Sequence, residues 1–339
     1  MIKKCLFFLL SLTIILGGCR APVPRPEVRF ALGTICTVNL FDQGSRQLYS
    51  QIFVRIAELE GIFSANMPGS DLDRINQNAG LGPVNVSPEL IEVLSSALEY
   101  AEKSGGYFDP SIGPLIKLWD IGGEREGRVP EDQEILAALA LINFREIEIN
   151  PQEQSVFLRR PGMALDLGAI SKGYIADEVH ALLARQGVER GIIDLGGDIL
   201  VMGERSDGGY WRVGIQDPRG NRGAYIGIMD VKNTSVASSG VYERFFELDG
   251  RRYHHIFSTQ SGFPAENGLL SVSVAADRSI DADALSTAAF ALGWERGRAL
   301  IDSVPGAQGL FVFDDLTVRM TEGLGEYFTL TDREYRLVW

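Results

Sequence analysis

One stretch near the middle of the chain, Ala164 to Gly203, constrains the fold more than any other: ALDLGAISKGYIADEVHALLARQGVERGIIDLGGDILVMG. Its pattern predicts a short apolar strand, a Gly-rich turn, an amphipathic helix and a second strand that ends in a Gly-Gly turn. Ser171 is placed to cap the helix, Ile175, Val179, Leu182 and Leu183 recur at helical spacing, and Gly187 stops it. Lys172 then stands at the helix start, where free N–H groups and the macrodipole already favour an anion. Asp166 and Asp194 fall at or near the two strand ends and face one crevice if the unit is a crossover. That arrangement suits phosphate handling, and it is also compatible with an ordinary strand–helix–strand carrying two solvated aspartates. Neither Gly-x-Gly-x-x-Gly nor Gly-x4-Gly-Lys-Ser/Thr occurs in it, so neither common nucleotide fingerprint applies.

The rest of the chain alternates element types. Phe30 to Leu40 forms a strand interrupted at Gly33-Thr34, and Ser45 opens a helix with the stripe Leu48, Ile52, Ile56, Leu59 and Phe63. Ser87-Pro88 starts a helix that Gly105-Gly106 ends. Tyr107 to Trp119, with two prolines and a glycine in an apolar run, is expected to be a rigid shaped loop. Pro130 to Ile142 is a helix. Val213 to Val231 and Val241 to Phe257 form antiparallel strands, the second pair turning at Asp249-Gly250. Ser271 to Ala275 is a buried strand, a helix lies within Asp283–Ile301, and three short strands close the chain. The class is α+β, a mixed, mainly antiparallel sheet core flanked by helices.

The N-terminus carries an address. Lys3 and Lys4 precede the apolar run Leu6 to Leu16, and Leu16-Gly17-Gly18-Cys19 has the form of a bacterial lipobox. The run is shorter than the roughly 20 residues a membrane-spanning helix needs. The expected organisation is a lipoprotein signal peptide at 1–18, a lipidated Cys19 with a Pro-rich tether at 19–27, and one catalytic domain at 28–339. The domain would then sit on the periplasmic side of a bacterial membrane. A simple secretory signal with an incidental cysteine is the plainer alternative. Cys36, at an apolar strand position, is expected to be inert packing.

Charge narrows the partners. A net charge of −13 excludes a nucleic-acid partner, which requires a basic face. It also makes an anionic substrate dependent on a cation. Asp283 and Thr287 lie one helical turn apart after Asp281-Ala282, so their oxygens share a face and suit a hard cation such as Mg²⁺. The alternative makes Asp281 or Asp283 an N-cap and Thr287 a core residue. His254-His255 are two of three histidines, and adjacent strand positions point to opposite faces, so at most one serves a site. Glu243 and Arg244 read as strand surface.

Taken in order, these segments resemble the ApbE family, the FAD:protein FMN transferases. The resemblance rests on Leu32-Gly33-Thr34, Phe63-Ser64 with Ser70-Asp71-Leu72, and Phe108-Asp109-Pro110-Ser111-Ile112-Gly113-Pro114. It continues through Asp166 to Tyr174, Asp194-Leu195-Gly196-Gly197-Asp198, Ser239-Gly240, His254-His255, and Asp283-Ala284-Leu285-Ser286-Thr287. It implies an enzyme that binds FAD as substrate, uses Mg²⁺ to cleave its diphosphate, transfers FMN to a Ser or Thr of an acceptor protein, and releases AMP. The acceptor would be a membrane redox-complex subunit carrying a Ser/Thr-Gly-Ala-Ser/Thr segment. Asp283 and Thr287 match the metal-binding side chains, and Ala169 matches a carbonyl ligand. Leu32, Asn66, Tyr107, Phe108, Asp109, Asp166, Lys172 and His255 match FAD-contacting positions, with His255 the candidate base ahead of Asp283. The chain departs from the family at Ile256 to Gly262, which lacks an aspartate, and at Asn66, where an aromatic is common. Two other readings remain open: an FAD pyrophosphatase at the same site, and a flavin-binding lipoprotein without catalysis.

The lipobox yields a direct test. Cys19→Ser should give a soluble export product or an uncleaved precursor instead of a detergent-phase protein. Normal processing and unchanged detergent partitioning of the variant would overturn the lipoprotein reading.

Overall fold

The computed structural model describes residues 25–123 and 127–338. The signal peptide, Cys19 and most of the tether lie outside the described residues. The organising element is a nine-stranded sheet whose strands lie side by side in chain order. They are Glu27–Ala31, Thr34–Leu40, Gly191–Leu195, Ile199–Met202, Thr234–Gly240, Leu269–Ala276, Gln308–Phe313, Thr317–Met320 and Arg336–Leu337. Every neighbouring pair is antiparallel except the last.

Both faces of the sheet are covered, so its sixth strand, Leu269–Ala276, is buried almost throughout. Helices Arg46–Phe63, Pro88–Ser104, Ser171–Arg185 and Ser279–Leu292 build the main core on one face. On the other, strands Trp211–Gln216, Tyr225–Val231 and Phe328–Leu330 form a small sheet that buries Val213, Ile226 and Met229 against Val236 and Val312. A third cluster gathers Leu115, Trp119, Ile135, Tyr253 and Phe257 under the hairpin Phe245–Leu248/Arg251–His254. The Trp119 indole donates to the Gly262 carbonyl at 2.8 Å, which ties that hairpin's exit to the helix Gly113–Trp119.

The helix boundaries follow the local chemistry. Ser45 accepts from the Leu48 N–H, Ser87 does the same for Leu90, and Gly105 ends the second of these helices at φ 65°. Asp249-Gly250 turns the predicted hairpin.

Several expectations are corrected. Residues before Ser171 form no strand; Ala164 makes a single bridge to Ile112, and Gly191–Leu195 is antiparallel to both neighbours, so there is no crossover. Leu165 and Leu167 are buried in alternation, but the Asn76 side chain takes both the N–H and the carbonyl of Leu165, at 2.6 and 3.0 Å. A side-chain amide replaces the strand partner. Ser171 is the first helical residue, not the cap. The Tyr107–Trp119 run is a loop only to Ile112; Pro114 then sits in the first turn of a helix, where its missing N–H costs nothing. The Asp283 region holds two helices, Ser279–Leu292 and Trp294–Asp302, parted by Gly293. The C-terminal part has four short strands rather than three.

The Lys172 helix (Ser171–Arg185) and the Asp283 helix (Ser279–Leu292) lack caps of their own. Each supplies the other's. Asp177 accepts from the Ser279 and Ile280 N–H groups at 2.8 and 3.0 Å, and Asp283 accepts from the Gly173 N–H at 3.0 Å. The approach is so close that a Cβ on Gly173 would lie 2.3 Å from the Ser279 carbonyl oxygen and 2.7 Å from the Ile280 Cα. Neither obstacle is a flexible side-chain tip. Gly173→Ala should therefore lower the free energy of urea unfolding by about 1–3 kcal/mol through overpacking. An unchanged unfolding midpoint would show that the helices are not locked at this point.

Candidate active site

Where these two helices meet the sheet, the chain leaves a cleft of about 850 Å³. Leu32, Asn66, Tyr107, Phe108, Asp109, Asp166, Ala169, Lys172, His255, Asp283 and Thr287 all line it. Positions scattered through most of the sequence thus share one surface.

The floor is charged. Lys172 forms an ion pair with Asp198, whose side chain is almost wholly buried. Asp283, only 4% exposed, lies beside both. Burial and the Asp198 charge push its carboxyl up to about 7, against the pull of Lys172 and of the Gly173 and Lys172 backbone N–H groups. For Lys172 burial favours the neutral amine, but Asp198 and Asp283 outweigh it and the pKa is raised. The trio therefore holds two carboxylates against one ammonium. Thr287 stands one turn beyond Asp283, its Oγ1 2.9 Å from Ser239 Oγ, which also bonds Ser286 Oγ at 2.8 Å.

These donors fit a hard cation. Asp283 and Thr287 line the cleft together with Ala169, and carboxylate, hydroxyl and carbonyl oxygens with surplus negative charge are the donor types that suit Mg²⁺. Among the described residues no group of three or more His, Cys, Asp or Glu could hold a metal. A cation here would have to complete its shell with water or substrate oxygens.

The histidines divide as strand alternation demands. His254 is buried; its Nε2 bonds the Ala265 carbonyl at 3.2 Å and its Nδ1 accepts from the Ile256 N–H at 3.3 Å. His255 faces the cleft, with Nδ1 3.2 Å from the Arg244 carbonyl oxygen. That contact makes Nδ1 the protonated nitrogen and leaves the Nε2 lone pair free. Burial, reinforced by the Arg244 charge, lowers its pKa to about 3, so the ring is neutral.

The remaining residues shape the walls. Leu32 and Gly33 turn the edge hairpin with φ of 56° and 69°, and the Leu32 N–H donates to Glu60 at 2.9 Å. A leucine in the left-handed region costs about 1–2 kcal/mol, so this carboxylate holds a strained turn at the cleft. Asp109 is a loop anchor: its oxygens accept from the Ser111 N–H and hydroxyl and from the Phe144 N–H, at 2.8, 2.6 and 3.0 Å. Asp166 accepts from the Gly168 N–H at 2.8 Å, and burial raises its pKa. Tyr107 lies 4.3 Å from the Arg296 guanidinium. Asn66 is exposed at the edge. The segment after His255 folds into a tight loop without the aspartate, closed by Ser258 N–H to Phe263 and Gly262 N–H to Ser258, both 2.8 Å.

Sequence reasoning misplaced some partners. Asp194 does not line the cleft with Asp166; it accepts from the Gly197 N–H in its own turn, and Asp198 takes the place beside Lys172. Glu243 and Arg244 are exposed as expected, but they lie on a turn after Gly240 and border the cleft. Glu60 was hidden in a helical stripe, and Arg222 gave no local signal at all.

The chain matches the model of the ApbE family over residues 32–311. It is 37% identical to the FAD:protein FMN transferase of Treponema pallidum, with 99% of each chain covered. It is also 37% identical to that of Klebsiella pneumoniae, over 86% of this chain and 90% of the relative. The crystal structure of the ApbE protein from Thermotoga maritima superposes with a TM-score of 0.81 at 31% identity, covering 89% of this chain and 98% of that one. The flavin transferase ApbE from Vibrio cholerae gives 0.79 at 26%, with the same coverage.

The two histidines should part company on substitution. His254→Ala removes a buried ring and leaves two backbone groups unpaired, and should cost about 2–4 kcal/mol in urea unfolding. His255→Ala should stay within about 0.5 kcal/mol of the parent protein. Equal losses would mean that both rings are structural.

Proposed function

This chain belongs to the ApbE family, and on that premise we propose that it is a Mg²⁺-dependent FAD:protein FMN transferase. The observation that carries the reading is the buried Asp283 with Thr287, half-buried, one turn on, an oxygen pair on the floor of a cleft large enough for a dinucleotide.

Asp283, Thr287 and the Ala169 carbonyl would hold the cation, which when bound offsets charge on the diphosphate and polarises it for attack. Lys172 stands beside the same oxygens. The Leu32 turn, Asn66 and the Tyr107–Asp109 loop form walls on which the ring systems and ribityl chain would lie. An acceptor Ser or Thr oxygen attacks the phosphorus on the FMN side, the bond to the AMP phosphate breaks, and AMP leaves. His255 Nε2 is placed to take the hydroxyl proton. Its affinity for a proton is low in the ligand-free cleft, and the negative diphosphate beside it would raise that affinity. Cys19, lipid-anchored, would present this cleft to acceptors at the periplasmic face of the membrane.

One feature supports hydrolysis as a companion activity. Asn66 is exposed at the cleft edge and offers no ring to cover the diphosphate, so water can use the acceptor's path.

Asp283→Asn keeps the acceptor for the Gly173 N–H and removes the charge. It should abolish AMP release from FAD while circular dichroism is unchanged, and EDTA should do the same to the parent protein until Mg²⁺ is restored. His255→Ala should slow AMP release and FMN transfer together by about 10²-fold. AMP release with no FMN mass ever gained by an acceptor would make the chain a pyrophosphatase, and full activity in Asp283→Asn would remove the metal site.

A further inference from the structure

The cations lining the cleft are Lys172, Arg222 and Arg244, with the neutral His255 beside them. Lys172 is committed to Asp198. Arg222 and Arg244 make no ion pair with any described residue, although most arginines of this acidic chain do. Of the cleft carboxylates, Glu60 is engaged by the Leu32 N–H, Asp109 by Ser111 and Phe144, and Asp283 by Gly173, while Asp166 lies in the field of Arg244 and Glu243 in that of both arginines without an ion pair to either. The cleft therefore holds two guanidinium groups that make no ion pair with a described residue.

The backbone that carries Arg222 and the stem of Arg244 are braced. Arg222 projects from the loop between strands Trp211–Gln216 and Tyr225–Val231, on the second sheet. That loop is closed by Asp217 N–H to Ala224 and Ala224 N–H to Asn221, both 2.9 Å, and by the Gln216 side chain, which donates to Asn221 and accepts from the Gly223 N–H. The Arg244 stem lies against Gly122, where a Cβ would come within 3.2 Å of its Cδ. Its carbonyl oxygen meets both the His255 N–H and Nδ1 at 3.2 Å.

We propose that Arg222 and Arg244 form an anion clamp that takes phosphate oxygens of the bound dinucleotide, with Arg244 also fixing, through its carbonyl, the tautomer of His255. The proposal rests on the FAD-binding reading above. A guanidinium fork matches phosphate oxygens in pairs, and it needs no deprotonation or exchange of ligands to do so. In a cleft rich in carboxylates the diphosphate brings further negative charge, and Lys172 is already neutralised. The clamp supplies the balance. One backbone segment at Arg244 then couples substrate phosphate to the imidazole that receives the acceptor's proton.

Arg222→Gln and Arg244→Gln test this, because the Gln variants keep the backbone and hence the His255 contacts. The dissociation constants of FAD, ADP and riboflavin are measured on the full chain by flavin fluorescence and calorimetry, with EDTA and again with Mg²⁺. Each variant should bind FAD and ADP about ten- to a hundredfold more weakly, with the larger loss in EDTA, and bind riboflavin as the parent does. Arg244→Lys should recover part of the FAD affinity. Unchanged FAD binding in both Gln variants overturns the clamp, and so does a parallel loss for riboflavin, which has no phosphate. If the parent chain itself fails to bind FAD, it is the functional reading that falls.

Discussion

The fold depends on a reciprocal bond between two helices. Asp177 of one closes the N-terminus of the other, and Asp283 of the second returns the bond to Gly173 of the first. Two helix N-termini, each with unpaired N–H groups and a partial positive charge, would repel if merely brought together. The two carboxylates satisfy those groups and reverse the local sign. Tyr100 adds a hydrogen bond to Asp281 in the same turn, at 2.7 Å. A cap of this kind is worth about 0.5–2 kcal/mol each way, and here the partners are buried, so losing either leaves donors without water.

The same contact makes the site. Asp283 reaches Gly173 only because the helices touch, and at that point Lys172 and Asp198 converge on it. Burial first, and then the charge of Asp198 beside it, push the Asp283 carboxyl up to about 7. Structure and chemistry therefore make opposite demands on one side chain. As a cap, Asp283 is best ionised and close to backbone N–H groups; as a buried neighbour of Asp198, it is best protonated. A divalent cation would resolve the conflict, since it would favour the ionised form and leave the cap intact. This is why the oxygen pair of Asp283 and Thr287 carries more weight than its short spacing alone would warrant.

How far the sequence was legible follows from the range of each interaction. Caps and turns are local, and Ser45, Ser87-Pro88, Gly105 and Asp249-Gly250 stand where their chemistry put them. The alternation at Leu165 and Leu167 is genuine, but what pairs with that backbone is Asn76, 89 residues away, and no periodicity reports that. Burial without a strand partner gives the same pattern as a strand. The site behaved likewise. Ordered motifs drew Asp166, Lys172, His255, Asp283 and Thr287 together, whereas Asp198 as the partner of Lys172, Glu60 under the Leu32 turn and Arg222 on the second sheet depend on tertiary contact alone. Adjacent histidines were the favourable case, because strand geometry by itself separates a buried ring from a facing one.

The charges of the cleft are divided by element. The negative groups that would hold a cation sit on helices and sheet ends packed into the main core, where position is fixed to within the tolerance a small ion imposes. The positive groups that make no ion pair with a described residue sit on a loop and a turn outside that core, whose backbone is braced by glycine or side-chain amide contacts. A phosphate group accepts a wider range of approach than Mg²⁺ does, so guanidinium groups on such elements are sufficient. The second sheet then has a part in the site although it contributes little to the main core: it carries Arg222 to the cleft. Its presence on the far face of the nine-stranded sheet closes the hydrophobic layer.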